Sequence, residues 1–322
     1  MADVRELIRR VRFRHLQMIL ELERLGSVKA AAQALHLTQP AVSKTLGEVE
    51  RAFGFELFVR GPRGLKPTQR GTVVLRGAAV LLAELGHVLA DALQDAPQPK
   101  EIIRLGALPY TAQGIAPDLL ARVLSSQVVV EITEDGVSQL FDQVAGGQLD
   151  AALCGYSGAQ LAAPGSGQLL AYDKVGEEQF VVIAPADHRL ARKRLVHWSD
   201  LANESWIVPS PGSFLRQLVE GRFRVEGLPV PEPVVVSNNP TSNAGLVAQG
   251  IGLASVPAST VRAIERAGKV RRLNVHPGLE PVAVALVYRK GASDHSAVVK
   301  LRDAVLRLGK AKPRSTARQP KA

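Results

Sequence analysis

Apolar residues change their spacing once along this chain, and the change divides it. Up to about residue 95 they recur every three or four positions, as helices require, and beyond residue 101 they gather in short runs. In the first part, Phe13, Leu16, Ile19 and Leu20 mark one face of a helix over Phe13–Leu25. Val28 to His36 is alanine-rich, with Ser27 placed as an N-cap. After a break at Leu37, Thr38 offers a second N-cap, and Val42, Leu46, Val49 and Phe53 form one apolar stripe. Gln39, Ser43 and Lys44 point away from that stripe. Two short helices joined by a tight turn, with polar residues at the front of the second, describe a helix-turn-helix. Leu57 to Thr68 then alternates extended pieces around Gly61-Pro62-Arg63-Gly64 and predicts a two-stranded wing.

From Gly71 to Asp95 the pattern predicts one long helix. Val74, Ala78, Leu81, Leu85, Val88 and Ala92 form a coiled-coil seam, widened by Leu75, Leu82 and Leu89. A second copy would cover so broad a face; packing onto the chain's own C-terminal half is the alternative. Pro97 and Pro99 break the helix and mark a hinge over 96–101. Strands are predicted at Ile102–Leu108, Val128–Ile132, Leu149–Cys154, Phe180–Ala184, Trp206–Val208, Pro233–Val236, Leu253–Val256 and Val282–Tyr288. Helices at Ile115–Leu124, Ser138–Val144, from Phe214, Ser242–Gln249 and His295–Leu308 alternate with them. That alternation predicts parallel sheets with helices on both faces, in two α/β subdomains with a cleft between them.

The run from Gly26 to Gly71 carries more than a generic motif. Ser27, Ala30-Ala31, Gln39-Pro40-Ala41, Ser43, Glu50, Gly54, Leu57-Phe58, Arg60, Thr68 and Gly71 stand in fixed order. This stretch resembles the N-terminal domain of the LysR-type transcriptional regulators, departing from them at Pro67, where the family often has leucine. The resemblance implies a winged helix-turn-helix domain (10–70), a linker helix that is the dimer contact (71–95), the hinge, and an effector-binding domain (102–308). The last is related in fold to type 2 periplasmic binding proteins. Its subdomain I is expected at 102–176 and 292–308 and its subdomain II at 177–291, with crossings near Lys174–Glu177 and Arg289–Ala292. A homotetramer, a dimer of dimers, is implied as well. The segment Arg12-Phe13-Arg14-His15-Leu16-Gln17 is similar to a branch tied to aromatic-acid breakdown and sugar uptake.

Charge agrees with this division. The chain has 322 residues and a formal net charge of +10, with 46% hydrophobic and 22% charged residues. Residues 1–76 hold 14 Lys and Arg against 7 Asp and Glu, and 309–322 hold 5 basic residues and no acidic ones. Residues 77–308 are close to neutral, with 21 basic and 23 acidic. A basic N-terminal domain suits a polyanion and predicts salt-sensitive DNA binding. The tail 309–322 lacks apolar periodicity and is expected to be disordered. The single cysteine, Cys154, excludes an internal disulfide and reads as a buried strand residue. With no apolar leader before MADVRELIRR and no run expected to approach a membrane span, a cytoplasmic location without membrane contact is expected.

The candidate DNA-binding residues are Ser27, Thr38, Gln39, Pro40, Ser43, Lys44, Arg60, Arg63 and Thr68. Gln39 suits adenine and Lys44 guanine. Arg60 and Arg63, with Lys66, lie where phosphates would position the domain. Effector-binding candidates sit at strand exits, beside helix N-termini that favour a small organic anion. They are Ser210, Ser213 and Asn239, together with Tyr110, Thr111, Val137 and Ser138; by the resemblance Tyr110 and Thr111 match positions that commonly contact the inducer, with Val137 or Ser138 opposite. Helix capping is the competing role for each hydroxyl. An aromatic or sugar acid is the effector class the resemblance suggests, and RNA polymerase is a further partner if the protein activates. No enzyme is expected: there is no G-x-S-x-G elbow or Walker lysine, and the seven histidines show no metal-ligand spacing. Gly250-Ile251-Gly252 follows a helix and precedes a strand, the reverse of a dinucleotide site, so no cofactor or metal is expected.

Overall fold

The computed structural model describes residues 4–61, 64–93, 100–125, 127–155 and 169–310, which divide into an N-terminal and a C-terminal unit. The N-terminal unit opens with α1 (Val4–Arg10) and α2 (Phe13–Leu25). The helix-turn-helix follows as α3 (Val28–Ala34) and α4 (Gln39–Phe53). Leu16, Met18, Ile19 and Leu22 of α2 share one core with Ala31, Ala32, Val42 and Val49. The wing is an antiparallel hairpin of β1 (Phe58–Gly61) and β2 (Gly64–Pro67), registered Val59 to Lys66 and Arg60 to Leu65.

Long α5 (Gln69–Ala92) begins where Thr68 caps it. The Thr68 hydroxyl accepts from Gly71 N at 2.8 Å and donates to Glu56 O at 2.9 Å. A Cβ on Gly71 would lie 1.9 Å from Leu57 O, so only glycine lets the wing approach the helix this closely. Leu75 and Ala78 are buried against the helix-turn-helix core. Further on, Leu81, Leu85, Val88 and Leu89 are 45–60% exposed. The expectation that no run approaches a membrane span needs correcting: Gln69–Leu89 is long and apolar enough by length and composition. A helix that concentrates leucine and valine along one face for a neighbouring helix passes the same test. The hinge prolines Pro97 and Pro99, and tail residues 311–322, lie outside the described residues.

The C-terminal unit has two lobes, each built on a five-stranded mixed sheet. Lobe I holds β3 (Glu101–Ala107), β4 (Val128–Glu134), β5 (Ala151–Gly155), β6 (Leu170–Glu178) and β14 (Val282–Arg289), in the order β4-β3-β5-β14-β6. Its helices are α6 (Pro109–Gly114), α7 (Ala116–Leu120), α8 (Val137–Ala145) and the closing α13 (Ser296–Lys310), which extends into the segment expected to be a disordered tail. Lobe II holds β7 (Phe180–Pro185), β9 (Trp206–Val208), β10 (Pro233–Val236), β11 (Leu253–Pro257) and β12 (Val270–Arg272), in the order β10-β9-β11-β7-β12. Around it lie α9 (Trp198–Leu201), α10 (Phe214–Val225), α11 (Pro240–Ala248) and α12 (Ala258–Arg266), with the small pair β8 (Val196–His197) and β13 (Val275–His276).

Three expectations are corrected by strand pairing. Val282–Tyr288 belongs to lobe I, because β14 pairs with β5 and β6. The second crossing therefore falls before Val282 rather than at Arg289–Ala292. An apolar run reads alike in either lobe, and only its hydrogen-bonded neighbours assign it. The first crossing lies at Gln179, after Lys174–Glu177, which is part of β6. Neither sheet is purely parallel: β7 runs antiparallel to β11 and β12, and β14 to its neighbours. The helix expected at Ile115–Leu124 is only the short α7, and a further short helix, α6, precedes it at the exit of β3, with Pro117 and Pro109 in their first turns.

Candidate DNA interface and effector cleft

The polar residues of the helix-turn-helix divide into scaffold and surface. Ser27 accepts from Ala30 N at 3.4 Å and Thr38 from Ala41 N at 3.3 Å, so both cap helices, as Thr68 does. Pro40 occupies the first turn of α4, where its missing N–H costs nothing. Gln39, Ser43 and Lys44 are exposed at the front of α4, opposite buried Val42 and Val49. Arg60 and Lys66 are exposed on the wing, while Arg63 lies outside the described residues. Glu50 fastens the wing to α4, its Oε1 accepting from Leu57 N at 2.7 Å and Phe58 N at 3.3 Å.

In the C-terminal unit, three side-chain contacts join the two lobes. The Thr241 hydroxyl of α11 donates to Gln113 Oε1 of α6 at 2.7 Å, tying lobe II to lobe I. Ser259 donates to the buried carboxylate of Glu178 at 3.0 Å, a second tie beside the crossing strand. Tyr110 is a third, its ring packing edge-on against Phe180 with centroids 5.3 Å apart. Burial pushes its phenol far above the ordinary value, neighbouring Cys154 and Glu178 add to this, and a main-chain hydrogen bond with Gly155 opposes it. Burial likewise pushes the Cys154 thiol up to about 12, leaving it protonated and inert.

Thr111 departs from expectation. Its side chain is fully buried, with Oγ1 2.9 Å from Leu108 O and 2.7 Å from Leu153 O, so its proton serves lobe I and no ligand. Ser138 is exposed and Val137 half-buried at the start of α8. In lobe II, Ser210 and Asn238 bind each other twice: Ser210 N donates to Asn238 Oδ1 at 2.9 Å, and Asn238 Nδ2 donates to Ser210 Oγ at 3.1 Å. Asn239 caps α11 by accepting from Ser242 N at 3.0 Å. Ser213 is the N-cap residue of α10, but its hydroxyl makes no capping bond.

Two buried polar atoms went unnoticed in the sequence. Ser255 Oγ and Asn243 Oδ1 have no hydrogen-bond partner, in residues 4% and 2% exposed. Ser255 sits opposite Val182 in β11, and strand alternation puts its side chain on the face of Phe180, Val182 and Val208. A lone serine in the apolar strand LASVP was the available signal. Among the described residues no group of three or more His, Cys, Asp or Glu side chains is placed to hold a metal.

Fold and site together define a winged helix-turn-helix DNA-binding unit joined to a two-lobed binding domain. Residues 13–72 match the family described as bacterial regulatory helix-turn-helix protein, lysR family, and residues 96–310 match the LysR substrate binding domain. The chain belongs to the LysR family of transcriptional regulators, which are not enzymes. It is 30% identical over 294 residues to the HTH-type transcriptional regulator GalR of Pseudomonas putida, covering 89% of this chain and 72% of that one. To the regulator PcaQ of Agrobacterium fabrum it is 30% identical over 222 residues, covering 68% and 70%. Its fold is similar to a full-length OxyR variant from Pseudomonas aeruginosa, with a TM-score of 0.58 and 22% identity over 91% of this chain and 97% of that one. It is also similar to the effector binding domain of QuiR in complex with shikimate, at a TM-score of 0.56 and 20% identity over 66% and 98%. The chain is thus a regulator with a DNA-binding and an effector-binding domain.

Proposed function

We propose that the protein is a sequence-specific regulator whose promoter activity is controlled by a small organic anion bound between lobes I and II. In this reading Gln39, Ser43 and Lys44 read base edges and Arg60 and Arg63 hold phosphates, while the capped helices of Ser27, Thr38 and Thr68 set their register. Residues 10–70 bind DNA and the helix of 71–95 pairs two copies through its seam, of which Leu81, Leu85, Val88 and Leu89 are exposed, and the pairs assemble further into a cytoplasmic tetramer. RNA polymerase is a partner if promoters are activated.

The observation that supports the effector reading is a pair of uncommitted hydroxyls in lobe II. The Ser213 hydroxyl stands at the start of the 12-residue helix α10 without capping it, and Ser255 Oγ has no partner. A helix N-terminus favours a carboxylate, and a buried hydroxyl favours a ligand that also carries a polar substituent. Shikimate, bound by the QuiR domain, is a hydroxylated carboxylic acid of this kind. In this reading Tyr110, Val137, Ser138, Ser210 and Asn239 complete the walls. An effector that binds one lobe angle better than another shifts the subunit arrangement by that difference in affinity.

A thermal-shift panel of hydroxylated, aromatic and sugar acids against the full chain tests this. A ligand specific for the folded state raises the midpoint as its concentration exceeds Kd, and Ser213→Val should abolish the rise. A midpoint flat across the acids but raised by their neutral analogues would sink the anion reading.

A further inference from the structure

Helix α1 lies ahead of the matched helix-turn-helix region, which begins at residue 13. Its seven residues bury no side chain, and seven residues are too few for a helix to hold by itself in water. It nonetheless packs against the recognition helix α4, and Val11 just beyond it lies on the helix-turn-helix core. What α1 contributes is therefore not core but charge. Residues 4–14 hold Arg5, Arg9, Arg10, Arg12 and Arg14 against Glu6 alone, which is +4 of the net +7 in the first 76 residues. Arg9, Arg10, Arg12 and Arg14 are exposed. Arg10 pairs with Glu6 at 2.6 Å, and both partners are more than half exposed, so the pair holds it weakly.

The position of these arginines follows from α4. Its Glu50 anchors the wing. Glu48 acts on His15 at the start of α2, whose imidazole is kept below its ordinary value by burial and by Arg14 and Arg12, with Glu48 pulling it back up. In a helix of 3.6 residues per turn, positions two apart point about 160° away from each other. The wing and the α1–α2 junction thus flank α4 on opposite sides. Ser43 and Lys44 fall on the arc between, at about 20° and about 120° from Glu50. A helix in the major groove is bordered on each side by phosphates, and the wing reaches one side only.

We propose that α1 and residues 11–14 form a third DNA contact, with Arg9, Arg12 and Arg14 gripping phosphates on the flank of the recognition helix opposite the wing. The contact adds affinity without sequence preference. It rests on the reading that the front of α4 faces DNA.

The test is fluorescence anisotropy of the full chain on two unrelated duplexes, each about 40 bp and so able to take a dimer, over a salt series. Replacing Arg9, Arg12 and Arg14 together by alanine should lower the slope of log K against log salt by about 0.9 for each arginine engaged, equally on both duplexes. The matching triple lysine variant should keep the slope. An unchanged slope in the alanine variant overturns the proposal, as does an equal loss in the lysine variant. If Arg60→Ala lowers the slope in the same assay, the DNA surface stands while the part of α1 in it falls. Should the triple alanine variant not fold, Arg9→Ala on exposed α1 carries the same test.

Discussion

Changing Gly155 to alanine should damage the cleft through one neighbour, Tyr110, and that dependence can be measured. A Cβ built on Gly155 lies 1.7 Å from Tyr110 Oη, and 3.1 Å from both Tyr110 Cζ and Val282 Cγ1. The first distance is impossible, so the phenol must leave its site and with it the edge-on contact to Phe180. The other two ask for shifts of a few tenths of an ångström. Overpacking of this kind costs about 1–3 kcal/mol. At about 2–4 °C per kcal/mol for a unit of this size, the midpoint should fall by about 2–12 °C. Tyr110→Phe alone loses one buried hydrogen bond, about 1 kcal/mol. In the double variant Gly155→Ala/Tyr110→Phe the clashing oxygen is gone, so its midpoint should return nearly to that of Tyr110→Phe. Tryptophan fluorescence reports locally, because Trp198 and Trp206, the two tryptophans of the chain, are buried in the lobe II cluster on which Tyr110 packs. A double variant as unstable as the sum of the two single ones would refute the argument. Gly155 would then be needed for the strand and not for the tyrosine.

Two further outcomes follow from buried polar groups. Ser255→Ala removes an unpartnered hydroxyl worth about 1–3 kcal/mol of desolvation, so calorimetry should show a higher midpoint for the free protein together with weaker effector binding. A lower midpoint would mean that the hydroxyl is paired in solution. His15 resists protonation in the folded state, chiefly through burial. As pH falls below its ordinary value of 6.5, the unfolded chain takes up a proton that the folded chain refuses, and stability of the N-terminal unit should decline until the lower folded value is passed. His15→Gln should flatten that decline in urea titrations over the same range, and an unaltered slope would place its cause elsewhere.

Short-range chemistry was enough to specify the elements of the N-terminal unit. Ser27 and Thr38 cap helices where their positions before apolar stripes said they would, and the expected wing is present as β1 paired with β2. Capping and helical periodicity act within a few residues, so they can be read without knowing the fold. α1 was not read: Val4, Leu7 and Ile8 do recur at helical spacing, but over two turns only, among charged residues and without a cap, which is too short a pattern to decide a helix. In the C-terminal unit most strands were equally legible, but their assignment to lobes was not. Val282–Tyr288 is apolar on both faces, and β14 became part of lobe I only through its pairing with β5 and β6. The same holds at the cleft: Tyr110 and Thr111 are adjacent in sequence, yet one reaches Phe180 of the other lobe while the other is sealed against Leu153 O. Which hydroxyl is spent on main chain and which is left for a ligand depends on atoms far along the chain, and only tertiary packing brings those atoms within hydrogen-bonding distance.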